Sequence, residues 1–495
     1  MSKQKKEIEF ELVRLDHEEV DSSKILEQYL VNNAKVTITN EGYYLIREPE
    51  VSDTAKNIYS ILMEALFYTL KPFELIEEEG KEGLVNYILK FMEEEAKARN
   101  IYNEFKKEFE PIKYYFIRDL VGYGIIDVPM QDNEIEELSF ESYRNPVGVI
   151  HRKHGEYNFL DTNIYFDKDS IDRFVQKLAH KINKTVTLAK PIVDGITPEG
   201  DRVLVTYSSE VTLPSSTFAI RKFPRKPLII TDLILRNTIS VEACSYLWLL
   251  HDAKGVGLIV GETGSGKTTL MNSLLSLTNP RWKVFTVEET PELLVPHKRW
   301  VRSFTRQSFG MEGKEFEITI MHLIKASLRS RPDILCVGEI RGEEAFNFVQ
   351  AASTGHSGLC TFHADSPKGA LVRLSANPIN ITESYQMLIW YIVNIKRMRI
   401  KDKIGRRVYV ISELNYNTNT KSIELTDVFK YNADTDRLEP VTDYSNTPRV
   451  RYASEFLNVN AREDLEKRKR ILEYAVNSRP KDISELFSIL STYYL

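Results

Sequence analysis

The chain has 495 residues, 42% of them hydrophobic, and 66 Lys and Arg against 71 Asp and Glu leave a net charge of −5. That length exceeds one core and points to roughly three domains of about 150 residues; the apolar content excludes disorder of the whole chain, and the charge excludes a surface that coats nucleic acid throughout. Cys244, Cys336 and Cys360 are too few for a disulfide framework or a two-CxxC zinc module, so a reducing, cytoplasmic compartment is expected.

The opening MSKQKKEIEF is charged, so no signal peptide is expected. No stretch of about 18 apolar residues is free of charge, so no membrane span is expected either. Val36–Thr39 and Tyr43–Arg47 bracket Asn40-Glu41-Gly42 and read as a hairpin. From about 51 to 103, IYSILMEALFYTL and LVNYILKFMEEEAKARNIY space apolar residues at helical period, with the charged spacer IEEEGKEG between them. Residues 1–110 therefore read as an accessory, largely helical region. Residues 111–228 alternate short apolar runs (VGVI, LVTY, FAIRKF) with turn residues and hold one helix, SIDRFVQKLAHKI, as an α+β domain would. Lys222-Phe223-Pro224-Arg225-Lys226-Pro227 is a stiff cationic connector, expected to act as a hinge. Residues 229–430 have an α/β texture. VGLIV, KVFTV, DILCVGE and LCTFHA are near-continuous apolar strands, as a parallel sheet covered on both faces requires. Residues 431–495 read as a short β-like stretch and a helical tail.

Gly261-Glu262-Thr263-Gly264-Ser265-Gly266-Lys267-Thr268 fits GxxxxGK[ST], with Thr269 just behind it. A strand precedes it and a helix follows, as the chemistry needs. The glycines let backbone N–H groups point at phosphates, and the helix N-terminus adds positive potential. Lys267 is expected to reach the β- and γ-phosphates of ATP, and the Thr268 hydroxyl to hold Mg²⁺. Glu339, emerging after the strand Ile334–Val337 and followed by Ile340-Arg341-Gly342, is expected to orient water or hold Mg²⁺ through water. Glu288, Glu289 and Glu292 follow KVFTV. They read either as a solvated turn or as carboxylates gathered near the metal and water. His356 and His363 stand seven residues apart, but Gly355 and Gly358 break any helix there and LCTFHA reads as a strand. No third ligand has suitable spacing, so they are expected to sense phosphate or meet a neighbouring subunit, not to bind zinc.

GETGSGKTT, TVEETPEL, DILCVGEIRG and TGHSGLCTFH together resemble the type II/type IV secretion ATPase superfamily, whose Walker A loop, aspartate box, atypical Walker B and histidine box stand in this order. Leu294-Val295-Pro296-His297, Trp300, Arg306, Ala189–Asp194, Pro198–Arg202 and Ile220–Phe223 resemble its archaeal branch, which includes archaellum and pilus-assembly motors. The resemblance implies a RecA-like ATPase domain behind a mobile N-terminal domain and a homohexameric ring. It also implies ATP turnover that drives pilin-like filaments or secretion through a polytopic membrane platform, with the motor peripheral at the inner face of the membrane. His356, His363 and Arg341 then belong with the nucleotide-binding residues. Arg202 and Arg221 are the candidates for completing a site between the two domains. One departure is Glu288-Glu289 where the family usually carries Glu-Asp; it leaves open which carboxylate is nearest the water. The rival reading is a ring motor acting on nucleic acid. The net charge and the lack of a basic stripe around the core speak against it.

Overall fold

The computed structural model describes residues 12–15, 20–69, 80–223, 227–306, 317–400, 403–417 and 422–494. Strand burial organises the first of two units, Met1–Phe223. Its strands are β1 (Ile25–Val31), β2 (Ala34–Thr39), β3 (Tyr43–Arg47), β4 (Ile135–Phe140), β5 (Gly148–His151), β6 (Leu160–Thr162), β7 (Ile192–Ile196), β8 (Arg202–Thr206) and β9 (Thr217–Arg221). They form one sheet in the order β1-β2-β3-β6-β5-β4-β9-β8-β7. The hairpin expected around Asn40-Glu41-Gly42 is β2–β3, with Gly42 at φ 87°. All pairs are antiparallel except β3 with β6.

The expected division near residue 110 is not a division of this sheet. Tyr43 and Tyr44 of β3 pair with Asp161 and Thr162 of β6, so strands on both sides of it share one ladder. The reason is burial. Val36, Ile38, Tyr44 and Ile46 are wholly buried in one core with Leu138, Val149 and Ile220, so the meander and the strands after residue 110 bury their apolar faces together. The expected helices are present at Asp53–Thr69 and Gly80–Ala98. They pack with Phe105, Tyr115 and Phe116 as a separate cluster. The wholly buried Glu48 ties that cluster to the end of β3 by accepting from Arg118 Nη1 at 2.8 Å.

The second unit is Pro224–Leu495. Residues 224–226 of the expected hinge lie outside the described residues, and the hinge reading with them. The strands here are β10 (Val256–Val260), β11 (Lys283–Glu288), β12 (Arg299–Phe304), β13 (Ile334–Ile340), β14 (Ser357–Phe362), β15 (Tyr391–Ile400), β16 (Lys403–Asn417), β17 (Ser422–Asn432) and β18 (Arg437–Pro440). The order is β12-β11-β13-β14-β10-β15-β16-β17-β18. The first six are parallel and the last four form an antiparallel meander. Alternate residues of the parallel strands feed two cores. Ile259, Val284, Cys336 and Leu359 pack with the helices Val241–Asp252 and Lys267–Leu275. Leu258, Phe285, Leu335 and Cys360 pack with residues of the helices Ile320–Ser330, Glu344–Ser353 and Pro367–Ser375. Both faces are covered, which is why these strands read as unbroken apolar runs.

The tail is part of this unit. The division expected at 430/431 falls inside β17, and Val450, Leu465, Leu472 and Leu486 join the same core as Leu270. Arg468, 1% exposed, pairs with Asp252 at 2.6 Å and Asp464 at 2.7 Å and donates to Tyr493 Oη. A buried guanidinium is tolerated only when its donors are satisfied this way.

Candidate active site

β10 runs straight into the glycine loop. A Cβ on Gly261 would stand 2.3 Å from the Ile395 carbonyl and 2.6 Å from Ser265 Oγ, so only glycine fits there. Gly264 and Gly266 take φ of 73° and 95°, the left-handed region. Gly266 is the N-cap of Lys267–Leu275 and no side chain caps that helix, which leaves its first N–H groups open to an anion. Ser265 Oγ is buried with no hydrogen-bond partner among the described residues. Glu262, Thr263 and Thr269 are exposed and Thr268 is half-buried. Lys267 folds back over the loop, donating to the carbonyls of Gly261 at 3.0 Å and Glu262 at 2.9 Å. Burial holds its pKa below the ordinary value, against the pull of the nearby Glu339 charge.

Glu339 lies at the C-terminal end of β13, where the pairing with β14 slips between Val337 and Ile340 and Thr361 Oγ1 donates to the Gly338 carbonyl at 2.6 Å. Arg341 Nη2 donates to Glu339 Oε2 at 2.6 Å, and His363 Nε2 stands 2.5 Å from Oε1. Burial alone would raise the Glu339 pKa; the Arg341 bond, with the charges of Arg341, His363 and Lys267, outweighs it and holds the pKa low. His363 is pushed down, first by burial and then by the Lys267 charge. The result is a carboxylate held in its ionised form beside an imidazole whose charged form is disfavoured, at the strand ends that carry the glycine loop.

The two glutamates of the aspartate-box segment part company. Glu288, 2% exposed, turns inward, and its Oε1 accepts from the backbone N–H of Glu292 at 2.7 Å and Leu293 at 2.8 Å. Its Oε2 is 3.8 Å from Arg302 Nε. Glu289 is half-exposed and lies 3.9 Å from Arg341, so it is the one that joins the Glu339 cluster. Burial pushes the Glu288 pKa up from 4.5 to about 7, despite its backbone bonds. The folded chain thus holds a proton that the unfolded chain releases, and stability falls as pH rises through that window. Glu288→Gln is expected to keep the turn bonds and to flatten melting temperature against pH between about 4.5 and 7, because nothing is left to ionise there. An unchanged slope in a pH series of thermal melts would show that Glu288 ionises as an exposed carboxylate does.

The two histidines are not neighbours. His356 precedes β14 and His363 follows it, so about 20 Å of extended chain separates them. Val260 of β10 pairs with Phe362, which places His363 level with Gly261; His356 lies at the other end of the sheet, bonded to Thr354 Oγ1 at 2.9 Å. The strand expected at LCTFHA is β14, and it sends the two histidines to opposite ends, His363 beside the glycine loop and His356 away from it. Arg202 and Arg221 belong to the first unit. They are register partners on β8 and β9, both exposed, and Arg202 is 3.9 Å from Asp194.

Arg406 was not expected at the site. It lies on β16 and donates from Nε to the Gly264 carbonyl at 3.1 Å, with its Cδ 3.1 Å from where a Gly266 Cβ would stand. The signal was in the sequence. Seven cations and one carboxylate lie between Lys396 and Arg407, which corrects the reading that the core lacks a basic stripe.

The family described as type II/IV secretion system protein matches residues 143–395, just over half of the chain. An uncharacterised protein of Methanocaldococcus jannaschii is 33% identical over 366 residues, 74% of this chain and 64% of the relative. A second from the same organism is 34% identical over 355 residues, 69% of this chain and 46% of the relative, so the chain spans between about half and two thirds of their lengths. A third is 38% identical over 254 residues, 50% of this chain and 92% of the relative. Among solved structures, the pilus retraction motor PilT with bound ADP is 18% identical, with a TM-score of 0.38 over 72% of this chain and 93% of that one. The VirB11 ATPase of Brucella suis is 23% identical, with a TM-score of 0.29 over 59% of this chain and 92% of that one. The family match spans the glycine loop, Glu288 and Glu289, Glu339 and both histidines; the chain belongs to the type II/IV secretion system protein family.

Proposed function

We propose that the chain is an ATP-hydrolysing motor subunit that works as a homohexameric ring to drive a pilin-like filament or a related secretion machine. In this reading it docks from the cytoplasm on a polytopic membrane partner. The observation that carries the reading is that Lys267, Glu339, His363 and Arg341 converge at the same strand ends as a loop in which only glycine fits. Lys267 would leave the loop carbonyls for β- and γ-phosphate oxygens, and Glu339 would align the attacking water. The site suits Mg²⁺–ATP. The uncapped helix start and the unpartnered Ser265 Oγ favour an anion, and the Thr268 hydroxyl with Glu339, the latter through water, would hold the metal. Mg²⁺ would neutralise charge on the phosphate oxygens.

Arg202 and Arg221 would complete the site on closure of the first unit or of a neighbour. Two like charges facing each other across a strand pair are unfavourable, and an anion relieves that. Turnover per subunit is therefore expected to rise with protein concentration, together with a six-subunit species in light scattering, and Arg221→Ala is expected to lose most of it while still binding ATP. Full turnover from a confirmed monomer would sink the ring, and full turnover in Arg221→Ala would sink the arginine.

A further inference from the structure

The hairpin β15–β16 extends past the glycine loop, and its cations are sorted by strand alternation. Ile395 and Val408 are register partners and lie in the same core as Leu270, Met271 and Leu274 of the loop's helix. Two residues further along each strand, Arg397 and Arg406 are also register partners and share that face. They are the next pair outward, level with the loop, and Arg406 touches it at Gly264. On the opposite face the cations are already engaged. Lys396 Nζ lies 4.0 Å from the centre of the Tyr409 ring, and Arg407 pairs with Asp436 at 2.8 Å. Arg397, Arg399 and Arg406 are exposed and make no ion pair among the described residues. Like charges set opposite on paired strands cost stability, and an anion bridging them would offset that cost.

We propose that Arg397 and Arg406 form a second cationic wall of the nucleotide site and hold a phosphate that ATP and ADP share. This rests on the nucleotide reading of the glycine loop. Sheet order decides which phosphate. Glu339 at the end of β13 and His363 just after β14 lie on one side of β10, whereas the hairpin starts from β15 on the other. The transferred phosphate belongs with Glu339, so the retained phosphates lie towards the hairpin. Arg406 is pre-set for such a ligand. Its Nε donates to the Gly264 carbonyl of the loop, which orients the guanidinium plane, and the planar fork of the two Nη groups matches phosphate oxygens.

Equilibrium binding of ATP and ADP to the full chain, by competition with a fluorescent ADP analogue, tests this. Arg397→Ala and Arg406→Ala are each expected to weaken both nucleotides about tenfold, as for one lost charge-assisted bond, with the ATP-to-ADP ratio unchanged. Arg406→Lys should recover part of the loss, and Lys396→Ala, on the other face, should bind both nucleotides with wild-type affinity. Wild-type affinity in both alanine variants, with weak binding in Lys267→Ala, overturns the proposal and leaves the nucleotide site standing. Normal binding in Lys267→Ala as well overturns the nucleotide site itself. A loss confined to ATP assigns the pair to the transferred phosphate and overturns the shared-phosphate role. Intact nucleotide affinity with weakened single-stranded DNA binding assigns the arginines to nucleic acid instead. Thermal melts without nucleotide identify any variant that fails to fold, and Arg397→Gln, which keeps most of the bulk, then takes its place.

Discussion

Lys267→Ala is expected to abolish ATP turnover and to weaken ATP binding by a factor of about 10–100, the range of a lost charge-assisted hydrogen bond. The ammonium is the one cation delivered by the loop itself, and its two present acceptors are loop carbonyls that phosphate oxygens would replace. Removing it leaves the backbone cradle intact, so residual binding through the N–H groups should survive while turnover does not. Isothermal titration beside a phosphate-release assay separates the two effects. Wild-type turnover in this variant would remove the loop from the chemistry.

Glu339→Gln is expected to lower turnover by roughly 10²–10⁴-fold, the usual contribution of a general base, with ATP affinity retained. The amide keeps the size of the carboxylate and can still accept from Arg341, so the geometry of the strand end persists. It cannot take a proton from water. Because Arg341, His363 and Lys267 hold the wild-type carboxyl below its ordinary pKa of 4.5, its ionisation should not limit turnover until the pH falls below that value. Single-turnover kinetics on Glu339→Gln and Glu289→Gln rank the two carboxylates. A larger loss in Glu289→Gln would give that residue the base and leave Glu339 to the metal.

The parts of this site that could be read in advance are those encoded locally. Gly261, Gly264 and Gly266 announce a backbone that other residues cannot adopt, and Glu339 follows an apolar run whose end any parallel sheet must place beside the loop. What escaped reading depends on contacts distant in sequence. Arg406 is brought to Gly264 only because β15 pairs with β10 and β16 returns along it. Glu288 and Glu289 look alike in the sequence; which one turns inward is settled by the backbone N–H groups of Glu292 and Leu293. His356 and His363 flank a segment that reads as a strand, and the register of β14 with β10 decides which of the two stands level with the glycine loop. β1 escaped notice although ILEQYLV alternates, because its exposed face is mixed and only its partner β2 makes it a strand.

The junction of β3 with β6 sets how this protein tolerates shortening. Two residue pairs, Tyr43 with Asp161 and Tyr44 with Thr162, join the amino-terminal meander to the rest of its sheet. A chain trimmed to begin near 111 would strip that neighbour from β6 and leave bare N–H and C=O groups on a three-residue margin, beside apolar surface that Val36, Ile38 and Ile46 now cover. Unpaired strand margins recruit other chains, so the trimmed protein should self-associate and precipitate even though the glycine loop and all its partners are untouched. Loss of activity on such trimming would then report solubility, and would say nothing about catalysis.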